Sequence, residues 1–339
     1  MLNRGFDLRI SSHSGRVSRT LNFKKKMADS VSKWNFDLHC TKQIPKSLAQ
    51  SDFGYDSNEF AFASNFQILT PEAVKISLDL IKNNQTIKDN CRFNDNSINN
   101  RLKQSPNTFA YRNISGINPW FRDMLSCKKL EKYLQDITGD KHLQLETNSW
   151  TAGHVNVQEA REESDSTPNI AWHNDTAHYA MLIVLNDMPE NPVGGETLTR
   201  KKSGEIVSMK YQKQGDSAFI RGSVIEHCGM PGKNFNKVLL AAGVGSSRLD
   251  RVVRSPIRSY HLGHSDIVDF ARQFTEYRVN RFQKQIEACK SGDDERRSDV
   301  LATMSAEFEI FRTSYAVFLD HCQTGDLKVF GDGVWLKKD

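Results

Sequence analysis

The sequence predicts an α+β protein in which a jelly-roll core over 143–250 is flanked by helices, and three observations carry that prediction. Between about 143 and 250, short β-rich runs such as "YAMLIVLND", "SAFIRG" and "KVLLAAGV" alternate with Gly- and Pro-containing turns such as "PENPVGG". Short strands at this spacing point to a sandwich or barrel of the jelly-roll type. N-terminal to them, and again beyond His264, apolar residues recur at the helical period instead.

Taken in order, residues 1–26 form a basic leader, 27–142 a helical section that packs on the core, 143–250 the β core, and 251–339 a helical hairpin and tail. The leader carries seven basic residues from Arg4 to Lys26 against Asp7 alone. That surplus exceeds the net charge of +5 for the whole chain, so the body from Met27 onward is nearly neutral. A nucleic-acid partner is therefore not expected, because its footprint is a basic patch on the folded domain. The leader's Arg- and Ser-rich, acid-poor composition fits either a solvated tail on a cytoplasmic protein or a mitochondrial transit peptide. No apolar run reaches membrane-spanning length. The six scattered cysteines include no CxxC pair and suggest neither a zinc ribbon nor a disulfide framework.

In "TPEAVKISLDLIKNN" the cap threonine, the proline behind it and the apolar Val74, Ile76, Leu78 and Ile81 predict a helix over 71–83. A second is predicted in "SCKKLEKYLQDITGD", where Leu130, Tyr133, Leu134 and Ile137 share a face and Gly139 supplies a stop. "HLQLETNSW" and "HVNVQEA" read as strands, and 161–166 as a charged loop. After His264 two amphipathic stretches predict an αα-hairpin whose aromatic stripe needs a partner: its own domain's sheet, a second copy in a homodimer, or a substrate lid.

The stretch "AWHNDTAHYAMLIVLND" carries the chemistry. His173 and Asp175, two apart on an extended segment, point to the same side and can reach one ion. His227, between two further strand signals, would complete two imidazoles and a carboxylate. Such a set fills one face of a metal and leaves the others open, as in non-haem Fe(II) oxygenases. His178, His261, His264 and Trp172 are read as structural, His154 as structural or cavity-lining, and Cys228 as turned away from the ligand side.

The order of this HxD, a "GGET" strand (Gly194, Gly195, Glu196, Thr197), "GDSAFI" and "EHCGMPGKNFNK" resembles the Fe(II)/2-oxoglutarate-dependent dioxygenases, particularly the prolyl 4-hydroxylase-like branch. More loosely, "SWTAGHVNVQ" and "GGETLTR" make the chain similar to fungal oxygenases of amino acids and small metabolites. The resemblance covers about 143–250. It implies a double-stranded β-helix of cupin-like form, Fe(II) on His173, Asp175 and His227, and 2-oxoglutarate and O₂ as cosubstrates. It also implies that Lys237, ten residues after His227, binds the far carboxylate of 2-oxoglutarate, with Arg221 and Lys233 as alternatives and Tyr179 and Thr199 as further donors. Because Asp175 keeps its carboxylate, halogenation is disfavoured.

For a small-molecule substrate, Asn148, Trp150 and Gln158 are candidate contacts from strands lining the cavity. Tyr111 and Arg112 supply a polar clamp suited to a carboxylated substrate. The alternatives are a prolyl or other protein side-chain hydroxylase, docking through the 161–166 loop and the helical hairpin, and a non-catalytic metal-binding module of cupin type.

Overall fold

The computed structural model describes residues 33–89, 91–93, 108–162, 166–254, 267–291, 294–324, 329–330 and 334–335. The leader, His261 and His264 lie outside these residues, and the elements below all belong to the contact unit Trp34–Asp339.

The chain begins with α1 (Phe36–His39), β1 (Ser47–Ala49), a 3-10 turn (Gln50–Phe53) and β2 (Phe60–Gln67). Then comes α2 (Pro71–Asn83), where the expected cap is present: the Thr70 side chain accepts from the Ala73 amide at 3.4 Å and Pro71 takes the first turn. Its Val74, Leu78 and Ile81 are buried one turn apart, each worth about 1.5–3 kcal/mol relative to exposure. α3 (Gln85–Asp89), β3 (Cys91–Phe93) and β4 (Thr108–Tyr111) follow, then α4 (Ile114–Ile117), α5 (Pro119–Leu125) and α6 (Lys128–Thr138). Gly139 ends α6 at φ +70°, a left-handed conformation that glycine adopts without steric cost.

β5 (Leu143–Leu145) leads through α7 (Ser149–Ala152) into β6 (His154–Gln158), β7 (Ile170–His173) and β8 (Tyr179–Val184). β9 (Thr197–Arg200), β10 (Ile206–Met209), β11 (Asp216–Ile220), β12 (Glu226–Gly229) and β13 (Lys237–Ser246) complete the core. The helices α8 (Ile267–Ser291) and α9 (Asp294–Thr324) come last, before a two-stranded pair at 329–330 and 334–335.

Two antiparallel sheets result. The larger has nine strands in the order β1-β2-β11-β8-β13-β6-β4-β3, with β5 also beside β13; the smaller runs β10-β9-β12-β7. One core lies between the large sheet and the helices, where Val74, Trp120, Phe121 and Leu134 meet Tyr179, Met181, Leu240 and Val244. The other holds Phe62, Leu182, Val184, Leu239 and Ala241 on the inner face, with Met209 and Tyr211. Alternation along β8 and β13 sends successive side chains to these two cores.

Two corrections follow. The section 27–142 is not only helical, since β1, β2, β3 and β4 extend the large sheet on both flanks. β2 reads "FAFASNFQ", buried on both faces over its first four residues, so it lacks the polar–apolar alternation that marks a strand in sequence. "HLQLETNSW" (142–150) is not one strand, because the chain leaves β5 and makes a helical turn at 149–152.

Aromatic side chains of the two C-terminal helices pack on one another, while Phe308 and Leu301 stay exposed. Phe274 stacks on Phe311 with ring centroids 6.0 Å apart, and Phe282 packs against Phe308 and Phe311. Gln273 of α8 accepts from the Ser149 amide at 2.9 Å. Among the described residues no helix is long and apolar enough to cross a membrane.

Candidate metal centre and cavity

His173 closes β7 and His227 lies on the neighbouring β12, directly opposite it in the antiparallel register. Opposed residues of such a pair project from the same face, which places the imidazole centroids 4.3 Å apart. Asp175 follows just beyond the strand, with its amide donating to the Gly222 carbonyl at 2.8 Å. Its Oδ1 lies 3.4 Å from His173 Nε2 and its Oδ2 3.5 Å from His227 Nε2. One potential ligand atom from each residue falls within 4.8 Å of the others.

The tautomers are set from behind. His173 Nδ1 lies 2.7 Å from the Ala171 carbonyl, and His227 Nδ1 lies 2.9 Å from the Ile225 carbonyl. A carbonyl only accepts, so each Nδ1 carries the proton and each Nε2 turns a lone pair inward, as in metal-ligating histidines. Burial pushes the His227 pKa down, against the pull of Asp175, which favours the neutral ring a metal needs. Burial alone would raise the Asp175 carboxyl, but the charge that His227 and His173 carry when protonated outweighs it and moves the carboxyl well below the usual range.

The decisive atom is Asp175 Oδ2, which is buried and has no hydrogen-bond partner among the described residues. A buried carboxylate oxygen without a donor is costly, and a cation between the three side chains removes the cost. The residues therefore fit a divalent metal. Gly222 makes room for this carboxylate, since a Cβ there would stand 2.0 Å from Asp175 Oδ2. Nothing local in the sequence marks that contact, which joins two loops 47 residues apart.

The triad opens into a cavity of about 230 Å³ between the sheets. Its long wall is β13, where Lys237, Leu239, Ala241 and Gly243 face inward from alternate positions. At one end lies Lys237, fully buried, whose ammonium donates to the Gly195 carbonyl at 2.7 Å and stands 5.5 Å from the Tyr211 ring centroid. Burial depresses its pKa to about 8, against the raising effect of Glu196. Gln158, opposite Lys237 in the β6–β13 register, is also fully buried and lines the cavity, with neither amide atom hydrogen-bonded. The Lys237 end thus holds a cation and an unsatisfied amide with no carboxylate bound to either.

Of the other expected contacts, Arg112 and His154 line the cavity, and Cys228 borders it. Tyr179 does not: its hydroxyl donates to Asp140 at 2.7 Å in the helix-side core, because Ala180 and Leu182 are the cavity-facing residues of β8. Thr199 gives its hydroxyl to the Val207 carbonyl at 3.1 Å, and Thr197, one strand period earlier, lines the cavity in its place. Arg221 pairs with Glu59, and the half-buried Lys233 donates to the Glu162 carbonyl, so neither alternative cation lines the cavity. Asn148 is buried outside the lining, with its carbonyl starting the α7 turn. Trp150 stands in that turn, and its side chain lies outside the described residues. His178 packs away from the cavity, its carbonyl accepting from Ser223. A residue the sequence reading overlooked is Glu146, which lines the cavity from the β5–α7 connection.

No family model matches the chain, and no curated protein does. Among solved structures it is similar to SnoN, a non-haem α-ketoglutarate-dependent epimerase from nogalamycin biosynthesis, at 12% identity over 55% of this chain and 78% of that one, TM-score 0.42. It is also similar to a Pseudomonas putida prolyl-4-hydroxylase, at 10% identity over 59% and 97%, TM-score 0.41. HygX from Streptomyces hygroscopicus, solved with nickel, 2-oxoglutarate and hygromycin B, is similar at 13% identity over 55% and 83%, TM-score 0.37.

Proposed function

We propose that the protein is a non-haem Fe(II)/2-oxoglutarate-dependent oxygenase that oxidises a C–H bond of a small molecule, within a jelly-roll core of double-stranded β-helix type. The observation that carries the proposal is the partnerless Asp175 Oδ2 between two inward-facing Nε2 atoms, in one cavity with a buried Lys237 that has no carboxylate. His173, Asp175 and His227 would hold the metal, a facial set that leaves positions open for cosubstrate and O₂. Bound there, iron supplies the oxidative chemistry, driven by decarboxylation of 2-oxoglutarate to succinate and CO₂.

The remaining roles belong to the chain's own residues. Lys237 pairs with the far carboxylate of 2-oxoglutarate and Gln158 donates its amide to the same group, so each gains the partner that burial denies it. The apolar waist of Leu182, Leu239 and Ala241 excludes water around the reacting centre. A cavity of about 230 Å³ falls below the usual range for drug-sized ligands, which supports a small molecule over a polypeptide.

The test is anaerobic titration of the full chain with Fe(II) and then 2-oxoglutarate, followed by visible spectroscopy. A weak metal-to-ligand charge-transfer band is expected in the wild type and not in His227→Ala. Folded, iron-loaded protein without a band would leave a metal-binding module that does not use 2-oxoglutarate.

A further inference from the structure

Charge along the cavity wall is distributed unevenly. Among the described residues lining it, the cations are Lys237 and Arg112 and the carboxylates are Asp175 and Glu146. Lys237 and Asp175 are assigned to the proposed cosubstrate and metal; the other two charged residues of the lining are Arg112 and Glu146. Both lie toward the other end of β13 from Lys237: Glu146 beside Gly243 and Gly245, and Arg112 just past β4 near His154. From Lys237 to Gly243 the wall runs roughly 20 Å at the rise of a strand.

Glu146 is 9% exposed, and its carboxyl forms no hydrogen bond or ion pair with any described residue. A Cβ on Gly245 would come within 2.7 Å of its Oε1, and one on Gly243 within 3.7 Å of its Cγ. The two glycines thus give the side chain its place against the wall. Arg278 and Arg281 of α8 act on it at longer range, but Glu307 lies 2.8 Å from Arg281 and 3.7 Å from Arg278. Their pull is too weak to offset burial, which leaves the Glu146 pKa raised to about 7. His154, between the two ends, is kept neutral by burial and by Arg112, so it adds hydrogen bonding without charge.

We propose that the outer end of the cavity receives a small zwitterion, an amino acid or close derivative, with Glu146 pairing its ammonium group and Arg112 its carboxylate. A cationic amine supplies what the buried Glu146 carboxylate lacks, and a carboxylate complements the guanidinium across the same space. The apolar waist then separates this dipolar end from Lys237. The assignment rests on the proposed oxygenase function and names the substrate class of that site.

The probes are the twenty common L-amino acids, titrated calorimetrically and anaerobically into full-length protein saturated with Fe(II) and 2-oxoglutarate. At least one is expected to bind, and its N-acetyl derivative and methyl ester to bind at least about 30-fold more weakly, the lower range for unpairing a buried charge. Glu146→Gln should weaken the free amino acid by a similar factor and Glu146→Asp by less, with thermal melts confirming that both variants fold. Binding of the N-acetyl derivative as tightly as the free amino acid, or an unchanged affinity in Glu146→Gln, would overturn the assignment. If the charge-transfer band forms and no amino acid binds, the zwitterion site fails while the oxygenase reading stands; if the band does not form, both fall.

Discussion

Two buried carboxylates in this chain have opposite surroundings. Glu307 of α9 is fully buried and completed by the protein: Arg281 Nε donates to both oxygens at 2.9 and 2.8 Å, and the Val253 amide donates at 2.7 Å. Arg281 in turn donates to the carbonyls of Arg248 and Arg251, which ties α8 and α9 to the segment leaving β13. Asp175 has a donor-free oxygen facing two lone pairs. The contrast separates a charge that organises the fold from one prepared for something the chain does not itself contain. Lys237 belongs with Asp175, because its only hydrogen-bond partner among the described residues is a neutral carbonyl.

The largest expected effect tests the finished side of this comparison. Glu307→Ala leaves the buried Arg281 guanidinium without its carboxylate and should cost about 3–5 kcal/mol of stability, measured by urea unfolding. Iron and 2-oxoglutarate titrations of the folded fraction should be unchanged. A folded Glu307→Ala protein that fails to bind metal would break the distinction between the two carboxylates.

Next comes the unfinished cation. Burial pulls the Lys237 pKa down to about 8 from the ordinary 10.5, so folding disfavours its charged form. For a lysine held below its unfolded value the penalty is complete below about 8, is relieved as pH rises from about 8 to 10.5, and is gone above that. At pH 7 the ligand-free Lys237→Met protein should therefore be more stable than wild type by up to about 3 kcal/mol, with the gain shrinking toward pH 10.5. The same variant should lose 2-oxoglutarate binding. A destabilised Lys237→Met at pH 7 would mean that the ammonium is a structural group.

The smallest effect sharpens the metal end. Gly222→Ala pushes a methyl group into the space of the Asp175 carboxylate and should weaken Fe(II) binding by about 10–100-fold, the range for disturbing a supporting residue. Unchanged affinity would show that the carboxylate can reach the metal from another rotamer.

How much of this was legible in the sequence depends on what fixes each residue. The triad was legible because an HxD on extended backbone determines its own geometry, whereas Lys237 was singled out only by the resemblance to 2-oxoglutarate-dependent dioxygenases. Tyr179 was misplaced because a side chain's face depends on strand phase, and phase is set by partners far away in sequence. A shift of one residue, from Tyr179 to Ala180, separates the helix-side core from the cavity. Thr199 faces the same side as Thr197, and a backbone carbonyl on the neighbouring strand occupies its hydroxyl. β2 was hidden by burial on both faces, and Gly222 by a contact that exists only after folding. Gln158 was expected to touch substrate, yet its register partner proved to be Lys237.

The most direct measurement is a crystal structure of the full chain grown anaerobically with Fe(II) and 2-oxoglutarate. The account predicts iron bound by His173 Nε2, His227 Nε2 and Asp175, with Oδ2 no longer without a partner. It also predicts the far carboxylate of 2-oxoglutarate within hydrogen-bonding distance of Lys237 Nζ and the Gln158 amide. Iron bound elsewhere, or a cavity without 2-oxoglutarate in which Lys237 still donates only to Gly195, would contradict it.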